Sequence, residues 1–273
     1  MLRPFDRLTM SGYWWAGLAR LPPAGHNGRM SKLSQKISRV GRFDSAPLGF
    51  GAMASPKSES TMLLVARLAA SESKRLGDLA KAGVDVALID SPSAQKLPDA
   101  GDLIVGAVLS SGDGALAAGL REAGYDFLCI DPNSVQADVL LEEQLGFMFP
   151  ADPAAEDSEL RLLETLNLDA VLLPAVNGPL TVRQQLSLRR VALLTRKPML
   201  VAVSDVLEGN QLRGLRDSGT VGLVVDGKAD KTVAAMRKAI DELPARRRRR
   251  EDRQSALVPA MGLRQSTEPE EDE

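Results

Sequence analysis

The sequence predicts an α/β fold in which eight parallel strands, separated mostly by helices, close into a compact (β/α)8 barrel within residues 31–244. Short apolar runs rich in Val, Ile and Leu recur along this region, and eight of them have the length of a strand. Each run is continuous rather than alternating, which is typical of strands buried on both faces. Helix-like segments, several of them ending at a glycine, lie between most runs. The strand count favours the closed barrel over the alternative, an open doubly wound parallel sheet.

Each element is predicted from its own local pattern. Strands are predicted at Met62–Leu68, Val84–Asp90, Leu103–Leu109, Tyr125–Asp131, Leu145–Phe149, Asp169–Pro174, Met199–Ser204 and Val221–Asp226. Helices are predicted at Ser73–Ala82, Ala115–Ala123, Ser134–Gln144, Ala155–Leu166, Leu180–Arg196, Leu207–Ser218 and Asp230–Leu243. The segment at residues 91–102 is rich in helix breakers and too short for a full helix, so one crossover is predicted to lack a helix.

The two ends of the chain differ from the barrel region. Residues 1–30 contain both tryptophans and the only histidine, His26, and are predicted to be disordered or an artefact of the gene start. A basic amphipathic stretch from Ser31 to Val40 predicts a helix that covers one end of the barrel. Residues 245–273 carry five consecutive arginines, Arg246–Arg250, and an acidic end, and are predicted to be a charged, largely disordered tail.

The composition excludes several mechanisms from the barrel. Cys129 is the only cysteine, so no intrachain disulfide can form, and we interpret it as a small buried hydrophobe. His26 lies outside the predicted barrel, which removes Ser-His-Asp catalysis, Cys-His catalysis and a His-rich zinc site. No apolar run is long enough to span a bilayer, and no glycine-rich nucleotide motif is present. We therefore expect a cytoplasmic protein that does not insert into membranes.

In barrels of this kind the active site lies at the carboxyl ends of the strands, so the polar residues there are the candidate site residues. The predicted catalytic residues are Arg67, Asp90, Asp131 and Lys228, and the predicted substrate-binding residues are Ser204, Asn177 and Gly227. Asp131, Asp152 and Asp226 are the predicted ligands of a divalent metal ion. Magnesium is the candidate because it prefers oxygen ligands, and the sequence indicates no other cofactor.

Each of these residues also has a structural interpretation. An acid directly after a strand can cap a helix or stabilise a turn instead of taking part in chemistry. Arg67 interrupts an apolar strand, so it either clamps a carboxylate or phosphate or forms an internal ion pair with Asp90 or Asp226. Lys228 either neutralises an anion or is simply solvated. The sequence leaves these alternatives open.

The strand–helix alternation, and residues 204–227 in particular, resemble the phosphate-binding TIM barrels, such as thiamine-phosphate synthase and the barrels of the tryptophan pathway. In those families, glycine-rich loops after the seventh and eighth strands, together with a helix N-terminus, hold a phosphate. Gly227 stands in the corresponding place after the eighth strand. The loop after the seventh strand departs from this pattern, because it contains Asp205 and Glu208 and no glycine pair. The resemblance covers the barrel in outline and implies its fold.

Three functions are open at this point, and the sequence leaves undecided whether the chain is an enzyme. The first is a lyase, aldolase or isomerase that acts on a small anionic metabolite at the barrel mouth. The second is a barrel that binds a ligand or a protein without catalysis, which the lack of a sharp motif favours. The third is binding of nucleic acid or an anionic surface through Arg246–Arg250. The adjacent Glu251 and Asp252, and the lack of aromatic stacking partners, argue against the third.

Overall fold

We describe residues 31–40 and 60–244 of a computed structural model of the chain. The strands are β1 (Leu63–Ala69), β2 (Val86–Asp90), β3 (Ile104–Leu109), β4 (Phe127–Ile130), β5 (Gly146–Pro150), β6 (Ala170–Val176), β7 (Met199–Val203) and β8 (Thr220–Asp226). The α-helices of these ranges are α1 (Lys32–Arg39), α2 (Leu76–Lys81), α3 (Gly114–Ala123), α4 (Asp157–Thr165), α5 (Val182–Thr195), α6 (Gly209–Asp217) and α7 (Asp230–Asp241). Two 3₁₀ helices, Ala70–Arg75 and Ala137–Leu141, lie between strands.

The eight strands form one closed parallel barrel in which strand order follows the chain. Each strand pairs in parallel with the next, and β8 pairs with β1 to close the ring. Parallel neighbours require crossovers outside the ring, and the helices fill most of them. The predicted (β/α)8 barrel is therefore confirmed, and the open-sheet alternative is wrong because the ring has no edge strand.

The predicted strand boundaries agree with the observed ones to within two residues. The stretch from Ser91 to Leu103 contains no helix, as predicted. The predicted helix at Ser134–Gln144 is wrong, because only the short 3₁₀ helix Ala137–Leu141 forms there. Val135 instead makes an isolated parallel bridge with Gly112, and the backbone N–H of Gln136 donates to the carbonyl of Gly112. This tertiary contact holds Val135 and Gln136 outside a helix, with Gln136 extended.

Alternate strand residues face the barrel interior, because side chains two residues apart lie on the same face of a strand. The inward layer includes Leu63, Val65, Val86, Leu88, Ile104, Phe127, Cys129, Met148, Ala170, Leu200 and Val224. The intervening strand residues pack against the surrounding helices in a second cluster. Both faces of the strands are thus buried, which explains why their hydrophobic runs are continuous.

Phe127 and Gly106 are direct partners across β3 and β4. Phe127 is fully buried, and a Cβ atom added at Gly106 would lie 2.2 Å from its ring. The ring therefore occupies the volume that a side chain at position 106 would need. Glycine is used here for close packing rather than for an unusual backbone angle.

Helix α1 covers the amino-terminal end of the barrel, as the amphipathic pattern predicts. Leu33 and Ile37 are buried and join the inward-facing cluster of strand residues. The carboxylate of Asp126, just before β4, accepts the backbone N–H groups of Lys32 and Leu33 at 3.0 and 2.9 Å. The Ser31 hydroxyl caps the same helix by accepting the N–H of Ser34 at 3.0 Å. One end of the barrel is thereby closed.

No helix within residues 31–40 and 60–244 is long and apolar enough to cross a membrane. The predicted segments at residues 1–30 and 245–273, including Arg246–Arg250, lie outside the described residues. Their assignments, the domain bounds and the cytoplasmic location stay predictions.

We predict that Gly106→Ala lowers the free energy of unfolding by about 1–3 kcal/mol, because the added methyl group overpacks the barrel against Phe127. Denaturant titration of the variant and the wild type measures this change. Gly77→Ala is the matched control, since Gly77 lies in α2 and an added Cβ meets nothing within 4 Å. Equal unfolding free energies for the two variants would contradict the packing argument.

Candidate functional site at the barrel mouth

A cavity of about 880 Å³ lies at the carboxyl ends of the strands. This volume is within the range of sites that bind small molecules. Its apolar lining includes Pro150, Leu172, Pro174, Ala202 and Val224, and its polar lining is Arg67, Asp90, Asp152, Ser204, Asp226 and Lys228. The structure thus brings six of the predicted site residues to one cavity, while Asp131, Asn177 and Gly227 are not part of its lining.

Arg67 forms an ion pair with Asp90, which answers the question of its partner that the sequence leaves open. Its Nε atom lies 2.9 and 3.0 Å from the two carboxylate oxygens of Asp90. Arg67 and Asp226 are register partners across β1 and β8, but they form no ion pair. Within the described residues, the two terminal nitrogens of Arg67 donate no hydrogen bond, and half of the side chain is exposed to the cavity mouth.

Asp131, Asp152 and Asp226 share one local arrangement. One carboxylate oxygen of each accepts the backbone N–H of the residue two positions later, which is the geometry of a turn stabilised by its own aspartate. The donors are Asn133 at 3.0 Å, Ala154 at 2.8 Å and Lys228 at 2.9 Å, respectively. In each case this hydrogen bond supports the interpretation of the aspartate as a turn-forming residue.

The three carboxylates do not converge on one point. In the part of the chain that the structure describes, no three Asp, Glu, His or Cys side chains are close enough to hold a metal ion together. The second oxygen of Asp131 accepts a hydrogen bond from the Ser134 hydroxyl at 3.2 Å, within its own loop. Asp152 and Asp226 line the cavity without Asp131, so the residues predicted to bind magnesium do not fit a shared site.

Ser204 and Asn177, two of the predicted substrate-binding residues, follow adjacent strands and contact each other. The Ser204 hydroxyl donates to the Asn177 side-chain oxygen at 3.2 Å. Ser204 lines the cavity, and Asn177 holds it from the neighbouring loop. The pair can offer polar contacts to a ligand at the ends of β6 and β7.

Gly227 is buried against β1 rather than open to the cavity. Its backbone N–H donates to the carbonyl of Arg67 at 2.8 Å. A Cβ at this position would lie 2.7 Å from the Leu68 side chain and 3.0 Å from the Arg67 carbonyl. Glycine is required here because β8 leaves the barrel in close contact with β1.

Lys228 projects from the loop after β8, and its ammonium group lies 3.8 Å from a carboxylate oxygen of Glu72. Glu72 belongs to the 3₁₀ helix that follows β1. Nothing in the local sequence marks Glu72 as a neighbour of Lys228. The sequence did not identify the apolar residues that line the cavity either. Each strand is apolar on both faces, so its sequence does not show which residues face inward.

Cys129 lies inside the barrel beneath the mouth and is buried, which confirms its interpretation as a small hydrophobe. Burial raises the pKa of its thiol to about 12, and the charge of Arg67 offsets only part of this increase. The thiol is therefore not a nucleophile at neutral pH.

No family model matches the chain, and a search of curated proteins finds no match. Solved structures do match. A chain of the tryptophan synthase complex of Pyrococcus furiosus has 14% identity and a TM-score of 0.52, covering 67% of this chain and 98% of its own length. A protein of Aquifex aeolicus VF5 has 13% identity and a TM-score of 0.54, covering 76% of this chain and 98% of its own. A mutant tryptophan synthase alpha-subunit of Pyrococcus furiosus has 15% identity and a TM-score of 0.51, covering 66% and 97%.

At these identities the similarity establishes the fold alone. The chain has the closed (β/α)8 fold of TIM barrels, which confirms the resemblance at the level of the fold. Membership of the phosphate-binding group of TIM barrels stays a prediction.

We predict that Cys129 resists alkylation by iodoacetamide in the folded protein at about pH 8 and reacts fully in denaturant, where the thiol pKa returns to about 8.5. Mass spectrometry of the intact chain gives the modified fraction, and the chain contains no second cysteine to confuse it. Because the folded state raises this pKa, its contribution to stability is full below about pH 8.5 and is lost as the pH rises toward 12. Rapid alkylation of the folded chain would contradict this placement.

Proposed function

We propose that the barrel mouth binds a small organic anion with a partly apolar body and that Arg67 is its anchor. The observation that supports this proposal is the hydrogen bonding of the Arg67 guanidinium. Its Nε is held by Asp90, while its two terminal nitrogens have no hydrogen-bond partner among residues 31–40 and 60–244. An arginine fork fixed at one edge and free at the other is suited to two parallel hydrogen bonds to an anion.

Asp90 has a positioning role in this proposal. It fixes the guanidinium plane, so less side-chain freedom is lost when an anion binds. Other residues that line the cavity, including Leu172, Ala202 and Val224, offer an apolar surface for the body of the ligand. Binding would therefore combine burial of apolar surface with one charged contact that sets the orientation.

We further propose that the bound anion undergoes lyase, aldolase or isomerase chemistry. These reactions need a proton acceptor or donor beside the substrate. Asp152 and Asp226 line the cavity, and each uses only one carboxylate oxygen in its turn. The other oxygen is the candidate proton acceptor, with Lys228 balancing negative charge and Ser204 and Asn177 contacting polar groups of the substrate. Asp131, whose two oxygens serve its own loop, takes no part in this proposal.

A non-catalytic barrel that binds the same class of ligand is the second candidate. It is favoured by the turn contacts of Asp152 and Asp226, which are sufficient to explain why an acid follows each strand. Ligand binding through Arg67 is common to both candidates. Proton exchange on the bound ligand separates them.

We predict that Arg67→Gln weakens binding of small organic anions roughly 10- to 100-fold, the effect of losing hydrogen bonds to a charged group. Thermal melting against a panel of organic acids identifies the ligands, and calorimetry measures their dissociation constants. Arg189→Gln is the matched control, because Arg189 is exposed on α5 and does not line the cavity. If both variants bind as the wild type does, Arg67 is not the anchor.

For the catalytic candidate, we predict that a bound acid exchanges a carbon-bound proton for deuterium in D2O. NMR follows the exchange with time. Asp226→Asn or Asp152→Asn is expected to slow it by at least about a hundredfold, which is typical of the loss of a general base. Tight binding with no exchange in the wild type would favour the non-catalytic barrel.

A further inference from the structure

We infer that the anion held at the mouth is a carboxylate and not a phosphate monoester. This inference rests on the proposed function and narrows its ligand class. It follows from the backbone donors and charges around the cavity, which differ from what a phosphate site needs.

A phosphate in a barrel mouth is held mainly by backbone N–H groups in the loops after the seventh and eighth strands and at a helix N-terminus. After β8, the first two N–H groups already have partners. Gly227 donates to the Arg67 carbonyl at 2.8 Å, and Lys228 donates to the Asp226 carboxylate at 2.9 Å. A phosphate at this position would have to replace contacts that hold β8 against β1 and close the loop.

The loop after β7 also contains occupied donors and acidic residues. The backbone N–H of Glu208 donates to the Gln211 side chain at 3.2 Å, and the backbone N–H of Gln211 donates to the backbone carbonyl of Glu208 at 2.9 Å. These two N–H groups therefore have partners within the protein, and Glu208 itself places an acid at the N-cap position of α6. Asp205 in the same loop is exposed and adds another negative charge. Both acids would repel a phosphate placed there.

The charges that line the cavity also disfavour a dianion. Two cations, Arg67 and Lys228, face three carboxylates, Asp90, Asp152 and Asp226. Arg67 is already paired with Asp90, and Lys228 lies near Glu72. A phosphate monoester carries a charge of about −1.5 to −2 at neutral pH and three strong acceptor oxygens. A carboxylate carries one charge and two oxygens, which match the two terminal nitrogens of Arg67 that have no partner among residues 31–40 and 60–244.

The test compares carboxylates and phosphates with the same apolar body, using calorimetry on the full-length chain at about pH 7.5, where a phosphate monoester is mostly dianionic. One pair is phenylacetate and benzyl phosphate, and a second pair is 4-methylpentanoate and isopentyl phosphate. We expect the carboxylate of a pair to bind at least roughly tenfold more tightly than its phosphate, because only the carboxylate is satisfied by the fork alone. Arg67→Gln should remove this preference.

Asp226→Asn provides an internal check on the charge argument. It removes one negative charge from the cavity while leaving an amide oxygen to accept the N–H of Lys228, and should therefore strengthen phosphate binding more than carboxylate binding. Phosphates that bind as tightly as their carboxylate partners, in an Arg67-dependent manner, would overturn the carboxylate inference and leave the proposed anion site intact. Absence of binding in both series would instead overturn the anion site and this inference with it.

Discussion

The pairing of β8 with β1 is the contact on which the rest of this structure depends. It closes the ring and sets the register in which Arg67 lies opposite Asp226. Because β8 then leaves the barrel in contact with β1, position 227 has no room for a side chain and its N–H is held by the Arg67 carbonyl. The pairing of β8 with β1 thus determines how far along the barrel axis the charged residues lie. It also determines that the backbone N–H of Gly227 already has a hydrogen-bond partner.

The two ends of the barrel differ in how far their charged groups are paired within the described part of the chain. At the amino-terminal end, α1 covers the interior, and the Arg237 guanidinium and the Lys36 ammonium both contact Asp85 at 3.1 Å. Asp85 also accepts the backbone N–H of Leu64 at 3.0 Å, so its charge is compensated by three donors. At the carboxyl-terminal end the interior opens into the cavity, and Arg67 has Asp90 as its one ion-pair partner among the described residues. The terminal nitrogens of Arg67, which donate no hydrogen bond among the described residues, therefore lie at the end of the barrel where a ligand can enter.

The fold was predictable because continuous apolar runs are a local property of parallel strands, and eight of them suffice to suggest closure. The prediction of a helix at Ser134–Gln144 was wrong because the bridge between Val135 and Gly112 is a tertiary contact, which the local sequence does not indicate. The site was predictable only in part. Asp90, Asp131 and Asp226 all end apolar runs in the sequence, yet their surroundings differ. Asp90 lines the cavity and pairs with Arg67, and Asp226 lines the cavity and stabilises its own turn. Asp131 contacts only its own loop among the described residues. Their different surroundings depend on neighbouring strands and on barrel closure, which come from distant parts of the chain.

The same dependence on closure explains why resemblance to a phosphate-binding barrel is a weak guide to the ligand. A glycine after the eighth strand has the right position in the sequence, but a phosphate needs its N–H to be free as well as close. In this chain the close approach that requires glycine at position 227 also consumes its donor, because the nearest acceptor is the carbonyl of Arg67. Charge near the mouth is then supplied by side chains instead of backbone dipoles. In the anion site that we propose, recognition by the side chain of one arginine favours a small monoanion, because barrel closure has already given the N–H of Gly227 a partner.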